Sequence, residues 1–532
     1  MSGFVSSAAL NTLQVDGVYV YAQAPTPVGG GQGIDTSLSG LDGTAAWGQP
    51  NVPTPFSGAA DLFAKFGSLA NNTGAYSLVR EGWMSSVLAS SIGATFNGVG
   101  VRVTDGTDVA ASVQLKDSGA TNGVTLTAFY TGAEGNTINV LLSLGSNSTS
   151  GAPTLTATVQ RGQYAPEVYP NLSNPTGGGF AVNLFNAVNN GIAGVCPKSA
   201  IVVATKNGTS VANFTAMTAP VALTGGTNGN GVTTAQMIGT DGITGRTGIY
   251  ALRGSGVQQF ILCGNSDPTA YATLQSFAAS EGSLAVAALP SGTSTASAIT
   301  TKQQNNCTSQ NAALVKDWLY ISDPVTGAQS LVSPLGEALG LISSLAPEQS
   351  PGNKPVQGCS NFLSTERTGT PYSGAEAQQL ETAGILYFTN PIPRGSVYGF
   401  PHGENASASA VGLNAVTDTI AYTRMTNYLG ASIPAILGPY IGELQSSRAN
   451  DPTRSAAKAA LTGFLQSLQD QGRIDTFNVT LDLTNNTPIT IAQGYCCALV
   501  QVAYMNVIKF FLVTLQGGSA VQVGLGNVPQ AA

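Results

Sequence analysis

The apolar positions change their spacing several times along this chain, and each change marks a different kind of element. Near the start, Val18, Tyr19, Val20 and Tyr21 form a short β-prone run. The stretch PTPVGGGQG that follows cannot pack a core, so residues 1–40 read as an arm and linker with hinge glycines at Gly29, Gly30, Gly31 and Gly33. From 41 to 104 helix and strand spacings mix. Ser57 is a candidate N-cap, Ala59, Leu62, Phe63 and Phe66 fall at helical spacing, and Gly67 can end the helix. A second helix is expected from about Leu78 to Ile92, and VGVRV (99–103) reads as a strand.

Between 105 and 225 short β-prone runs, VTLTAFY (124–130), INVLLSL (138–144) and PTLTATVQ (153–160), alternate with Gly, Asn and Ser turns. That spacing predicts a small antiparallel β domain, closed by the linker GGTNGNG (225–231). Residues 226–390 alternate apolar strands with helices, the pattern of an α/β layer. QQFILC (258–263), SLAVAAL (283–289) and ALVKDWLYIS (313–322) are its predicted strands, and Asp267-Pro268 starts a helix ending near Gly282. Residues 391–515 form a last α+β unit. Its clearest helix starts at Asp451-Pro452, places Ala457, Leu461, Phe464, Leu465 and Leu468 on one face, and stops at Gly472. FNVTLDL (477–483) and VIKFFLVTL (507–515) are expected strands. The tail, 516–532, is Gly-rich, with Gly517 and Gly518 as hinges and a short β run containing Val521 and Val523. The fold class is therefore α/β plus β, divided among several domains.

Length agrees, because 532 residues exceed what one hydrophobic core usually supports. Charge changes the picture more. Only 9% of the residues are charged, against about 25% in ordinary soluble domains. So few charges protect a free monomer poorly, which favours a surface covered by partners. The net charge of −7 and the lack of a basic run argue against direct binding of nucleic acid. MSGFVSSAAL lacks the charged n-region of a signal peptide, so synthesis in the cytoplasm is expected. The segment YCCALVQVAYMNVIKFFLVTL (495–515) is long enough to cross a membrane. Gln501, Asn506 and Lys509 interrupt it, and its Val, Ile and Phe content reads as buried strands rather than an inserted helix.

Candidate chemistry is sparse. His402, in GFPHGEN, is the single histidine, so any Ser-His-Asp or Cys-His site must use it. Flanking Pro401 and Gly403 place it on a turn, as a surface or interface residue. Cys359 is its possible nucleophilic partner, but VQGCSNF matches no nucleophile motif. Cys196, Cys263, Cys307, Cys359, Cys496 and Cys497 contain no C-x-x-C pair. Cys496 and Cys497 read as two reduced side chains on opposite faces of a strand. GGTNGNG lacks the Lys-Ser/Thr of a phosphate loop, and Asp105 to Asp108 is better explained as a turn than as a cation loop. No catalytic residue, metal ligand or cofactor site is nominated.

The order of several segments resembles the contractile phage tail sheath proteins. GTAAWGQPNVPTPFSGAADLFAKFG (43–67) is similar to that family's opening strand, turn and apolar helix ending in Phe-Gly, with Gln49 between Gly48 and Pro50. LTAFYTGAEGNTINV (126–140) carries Tyr130, Gly132, Gly135, Asn136 and Ile138 of a family stretch in which Thr131 replaces the more usual Pro. LTGGTNG (223–229), WLYISDPVTGAQSLVSPLGEALGLI (318–342) and ILYFTNPIPRGSVYGF (385–400) follow in sequence, so the resemblance spans residues 40–515.

The resemblance implies a non-enzymatic structural subunit. Its C-terminal core (391–515) would be completed by N-terminal sequence (41–104), with the β domain and a subtilisin-like-fold α/β domain inserted between them. Region 226–390 holds no histidine, so no protease triad can form there. Six-fold rings stacked around a tail tube, with baseplate and tail terminator proteins as further partners, are the implied assembly. Its place is the virion tail, built in the host cytoplasm. The terminal arms would add strands to neighbouring copies, through Val18 to Tyr21 and through Val521 and Val523. Other readings are a capsid, fibre or surface-layer protein, which needs no central α/β domain, and a secreted hydrolase, opposed by the single histidine.

Overall fold

The computed structural model describes residues 2–4, 18–20, 33–147, 153–175, 179–208, 212–356, 362–367, 370–408, 416–509, 512–513 and 515. Tyr21, Gly29, Gly30, Gly31, Cys359, Gly517, Gly518, Val521 and Val523 lie outside them. Ser2–Phe4 (β1) and Val18–Val20 (β2) pair in parallel.

The next segment supplies β3 (Ser39–Gly43), β4 (Thr54–Ser57), α1 (Gly58–Phe66), α2 (Leu78–Ser91) and β5 (Asn97–Arg102). Ser57 and Gly67 bound α1 as the sequence predicts, but the Ser57 hydroxyl bonds Asn97 while Asp61 accepts from the Ser57 amide at 3.0 Å. Glycine is required at Gly98 and Gly100 of β5, because a Cβ there would strike the rings of Phe56 and Phe66.

Residues 112–222 form β6 (Ser112–Lys116), β7 (Asn122–Ala128), β8 (Ile138–Leu144), β9 (Thr154–Arg161), β10 (Glu167–Ser173), α3 (Phe180–Asn190), β11 (Val202–Lys206) and β12 (Val221–Ala222). Two antiparallel sheets, β10-β9-β8-β12 and β11-β7-β6, enclose one apolar core with α3 and Trp47. The alternation of Ile138, Val140 and Leu142 with polar or half-exposed neighbours made these strands legible.

The following stretch contains α4 (Thr234–Ile238), the hairpin β13 (Asp241–Gly242) and β14 (Gly245–Arg246), β15 (Gln259–Leu262), α5 (Tyr271–Glu281), β16 (Leu284–Ala288), α6 (Thr295–Gln304), β17 (Ala312–Val315), β18 (Leu319–Ser322), β19 (Gln329–Val332), α7 (Leu335–Ser344), β20 (Lys354–Pro355), β21 (Phe362–Thr365), α8 (Gly374–Thr382), β22 (Ile385–Leu386) and β23 (Gly399–Phe400). A seven-stranded sheet runs β22-β17-β16-β15-β3-β5-β4, parallel except for β4. Alternate residues feed opposite faces: Ile261, Leu284 and Val286 pack with α1, α2 and α7, while Phe260, Leu262 and Ala285 pack with α5, α6 and α8. Strand pairing thus joins residues 39–102 to the α/β layer, whereas the resemblance placed 41–104 with the C-terminal unit.

ALVKDWLYIS is two strands rather than one. Asp317 takes a left-handed backbone (φ 73°) and makes a buried 2.7 Å ion pair with Lys316, and the chain then leaves the parallel sheet. Leu319–Ser322 enters the antiparallel sheet β19-β18-β21 instead. A charged pair satisfied in this way breaks the apolar run that continuous pairing would need.

The C-terminal unit comprises α9 (Ile420–Leu437), α10 (Pro452–Asp470), β24 (Ile474–Thr480), α11 (Pro488–Ala492) and β25 (Leu499–Tyr504). Asp451 caps α10 by accepting from Arg454 N at 2.8 Å, and the five predicted core residues of this helix are buried. The chain reaches this unit through Gly33 and Ile34: Ile34 donates to the Ser432 hydroxyl at 3.2 Å, and a Cβ on Gly33 would overlap the Tyr428 ring. Two expectations fail here. Val507 to Lys509 form no strand, because the ladder with β24 is taken by Leu499–Tyr504. Cys496 and Cys497 are free and exposed in the loop ahead of β25, where Asn485 and Asn486 hold the Cys497 carbonyl.

Candidate assembly interface

The C-terminal sheet has only β24 and β25 among the described residues. Its register pairs Val479 with Val500, Phe477 with Val502 and Ile474 with Tyr504, and this inner face packs on α9 and α10. The opposite face pairs Thr480 with Leu499, Asn478 with Gln501 and Thr476 with Ala503, and it is open to solvent. The buried strands expected from the composition of 495–515 are therefore half-covered at most. Neither strand has a second neighbour among the described residues, so both edges present backbone donors and acceptors without a ladder. A two-stranded sheet is marginal in water, and here α9 and α10 support one face only.

Exposed apolar side chains are frequent in the same stretch of chain. Ile441 and Leu444 are 85% and 90% exposed in the loop between α9 and α10, and Ile489, Ile508, Leu512, Val513 and Leu515 are also exposed. A cavity of about 350 Å³ opens between Leu437, Tyr440, Ile441, Leu481 and Ala498. Buried Arg454 holds the Ser446 and Arg448 carbonyls at 3.1 and 2.5 Å, which fixes the loop carrying Leu444. Of the residues named for strand exchange, Val18, Tyr19 and Val20 lie in β2. Gly33, named as a hinge, lies against Tyr428, a close approach that itself requires glycine. The sequence reading expected strands at 477–483 and within 495–515 but nominated no contact residue there, although period-two alternation from Leu499 to Tyr504 marks a strand with one covered face.

The motifs behind the resemblance meet where the β domain joins the sheet. Asn136 and Gly226 exchange two hydrogen bonds of 2.9 and 2.8 Å, and the Asn228 side chain accepts from Ala133 N at 2.8 Å. Gly132 has φ 122° and packs against the Ala46 carbonyl, leaving no room for a Cβ. Glu134 accepts from Ser68 and Asn71. Arg102, fully buried at the end of β5, donates to Gly48 O, Asp108 and Thr131 at 2.5, 3.0 and 3.2 Å. Burial pulls its guanidinium down to about 10 despite the Asp108 carboxylate. Asp323, in the Asp-Pro-x-Thr-Gly segment, caps its own turn through Val325 N and Thr326 N and pairs with Arg80 at 2.9 Å. These residues hold segments together.

At the carboxyl ends of β16 and β17, where α/β folds commonly bind ligands, Lys316, Asp317 and Tyr372 bond one another within 2.7 Å. Burial raises the Asp317 carboxyl and the Tyr372 hydroxyl. His402 is not the surface residue expected: its side chain is 8% exposed and contacts Glu404 and the Ile385 carbonyl. Among the described residues no group of three or more His, Cys, Asp or Glu converges on a metal position, and no helix is long and apolar enough to cross a membrane.

No family model matches the sequence, and no curated protein matches it. Solved structures do match the fold. A sheath tail protein from Desulfitobacterium hafniense superposes with a TM-score of 0.55 at 15% identity, over 88% of this chain and 94% of that one. A sheath tail protein from Listeria innocua gives 0.57 at 14% identity, over 89% and 96%. This chain has the mixed α/β fold, with several sheets, of the sheath tail proteins, and the resemblance read from the sequence holds at that level.

Proposed function

We propose that the chain is the structural subunit of a contractile tail sheath, a non-catalytic protein that polymerises around a tail tube and drives it through a target envelope when the sheath contracts. The observation that carries this reading is the C-terminal sheet, whose two strands have no further neighbour among the described residues, in a unit with exposed apolar side chains, on a body with the sheath tail protein fold. Residues 391–515 form the tube-facing core in this reading, and the β domain lies outside. The arms, 1–40 and 516–532, add strands to the open sheets of neighbouring copies through Val18 to Tyr21 and through Val521 and Val523. Backbone ladders of this kind survive rotation of whole subunits when the linkers at Gly29 to Gly31 and Gly517-Gly518 bend. Stacked rings then bind the tube, with baseplate and terminator proteins at the two ends, in a virion or a related injection particle. No nucleotide or cofactor enters the cycle, since the extended lattice itself stores the driving free energy.

Deleting residues 1–30 or 517–532 tests the arms. Each truncation is expected to give a folded, soluble subunit that forms no tubes, read by circular dichroism and electron microscopy. Normal tubes from both truncations would overturn arm-mediated assembly.

A further inference from the structure

α6 packs beside α8, and a cavity of about 490 Å³ opens between these helices and residues 407–408. That volume lies within the range of small-molecule sites. Ile299, Ala383 and Ala408 supply apolar wall, and Gln303, Gln378 and Thr382 add neutral polar groups. Among the described residues that line the cavity, Lys302 is the one charged side chain.

Lys302 stands in the last turn of α6 and is 5% exposed. Its ammonium donates to the carbonyl of Ala383, the residue that ends α8, and to the Ala408 carbonyl at 3.1 Å. An ammonium carries three N–H groups, so one has no partner among the described residues. Lys302 also enters no ion pair among them. The titratable groups that act on it are Cys307 and Asp418. Burial pushes the Cys307 thiol up to about 11, which keeps it neutral, and the Asp418 carboxyl accepts from the Ser407 hydroxyl at 3.2 Å rather than from Lys302. Burial pulls the Lys302 ammonium down to about 8. A buried cation bonded only to carbonyl dipoles lacks a counter-charge. We propose that this cavity binds a medium-chain monocarboxylate, its carboxylate on the Lys302 ammonium and its alkyl chain along Ile299, Ala383 and Ala408. Inorganic phosphate suits the cavity less, because a single cation leaves part of its charge to be desolvated against an apolar wall. A neutral alcohol gains the wall but leaves the ammonium without its counter-charge. The site lies within one subunit and does not depend on polymerisation.

Calorimetric titration of the full-length chain with octanoate, 1-octanol and inorganic phosphate tests the site. At pH 7 octanoate is expected to bind about tenfold tighter than 1-octanol, and phosphate to give no binding. Hexanoate should bind more weakly than octanoate, by about fourfold per buried methylene lost. Lys302→Met keeps the apolar stem and removes the charge, and should reduce octanoate to the affinity of 1-octanol. Octanoate that fails to bind, binds no tighter than 1-octanol or phosphate, or binds Lys302→Met as well as the wild type overturns the proposal. Should Lys302→Met fail to fold, the wild type at two pH values suffices. Octanoate is expected to bind about tenfold more weakly at pH 9 than at pH 7, as the ammonium loses its proton, while 1-octanol binding stays constant. Equal octanoate affinities at the two pH values overturn the pairing with Lys302.

Discussion

Asp42 is a carboxyl buried in the seven-stranded sheet. It lies in β3, fully buried, and neither carboxylate oxygen has a hydrogen-bond partner. Burial raises its carboxyl well above the ordinary range, and burial likewise raises Glu81 to about 7, although Gly336 N donates to it at 2.5 Å. A carboxyl raised in the folded state favours folding least when the unfolded chain is ionised. Stability is therefore fullest below about pH 4 for these two groups and falls as pH rises past it. Asp42→Asn is expected to flatten that fall and to stabilise the protein by about 2 kcal/mol at pH 8, in urea melts at pH 5 and pH 8. A wild-type-like slope in the variant would show that Asp42 is ionised in the fold. Arg102 is the converse case. Asp108→Ala leaves a buried guanidinium without its counter-charge and is expected to cost about 3 kcal/mol, measured by the same melts.

At the scale of elements, legibility followed local pattern. α10 was readable because Asp451, Pro452 and five apolar positions agree with one another, and the structure buries all five. β8 and β9 were readable from strict alternation. The break at Lys316-Asp317 was not, because a buried pair is identified by its partner Tyr372, which lies 55 positions away. The open sheet was only half legible: β24 was expected, but β25 was masked by the equally β-prone run at 507–515. Pairing register is decided by tertiary partners that no local window contains. The same sheet gives an element-scale prediction. Leu465→Ala removes buried side-chain volume from the core shared by α9, α10 and the sheet, and about 3 kcal/mol of stability should be lost. Hydrogen exchange should then speed in β24 and β25 and stay unchanged in β8 and β9. Equal acceleration in both places would show that the two units unfold together.

For the whole molecule, low charge, a two-stranded sheet without further neighbours among the described residues and exposed apolar side chains describe a surface suited to contact. The body beneath that surface has the mixed α/β fold of the sheath tail proteins. The sequence offered arms and glycine linkers as the candidate site, and most of those residues lie outside the described ones, whereas the two-stranded sheet with one covered face became visible only in three dimensions. Negative-stain electron microscopy of the purified full-length chain over a concentration series tests the sheath reading most directly. Striated tubes or stacked discs of uniform diameter are the expected result, and compact single subunits at every concentration would contradict it.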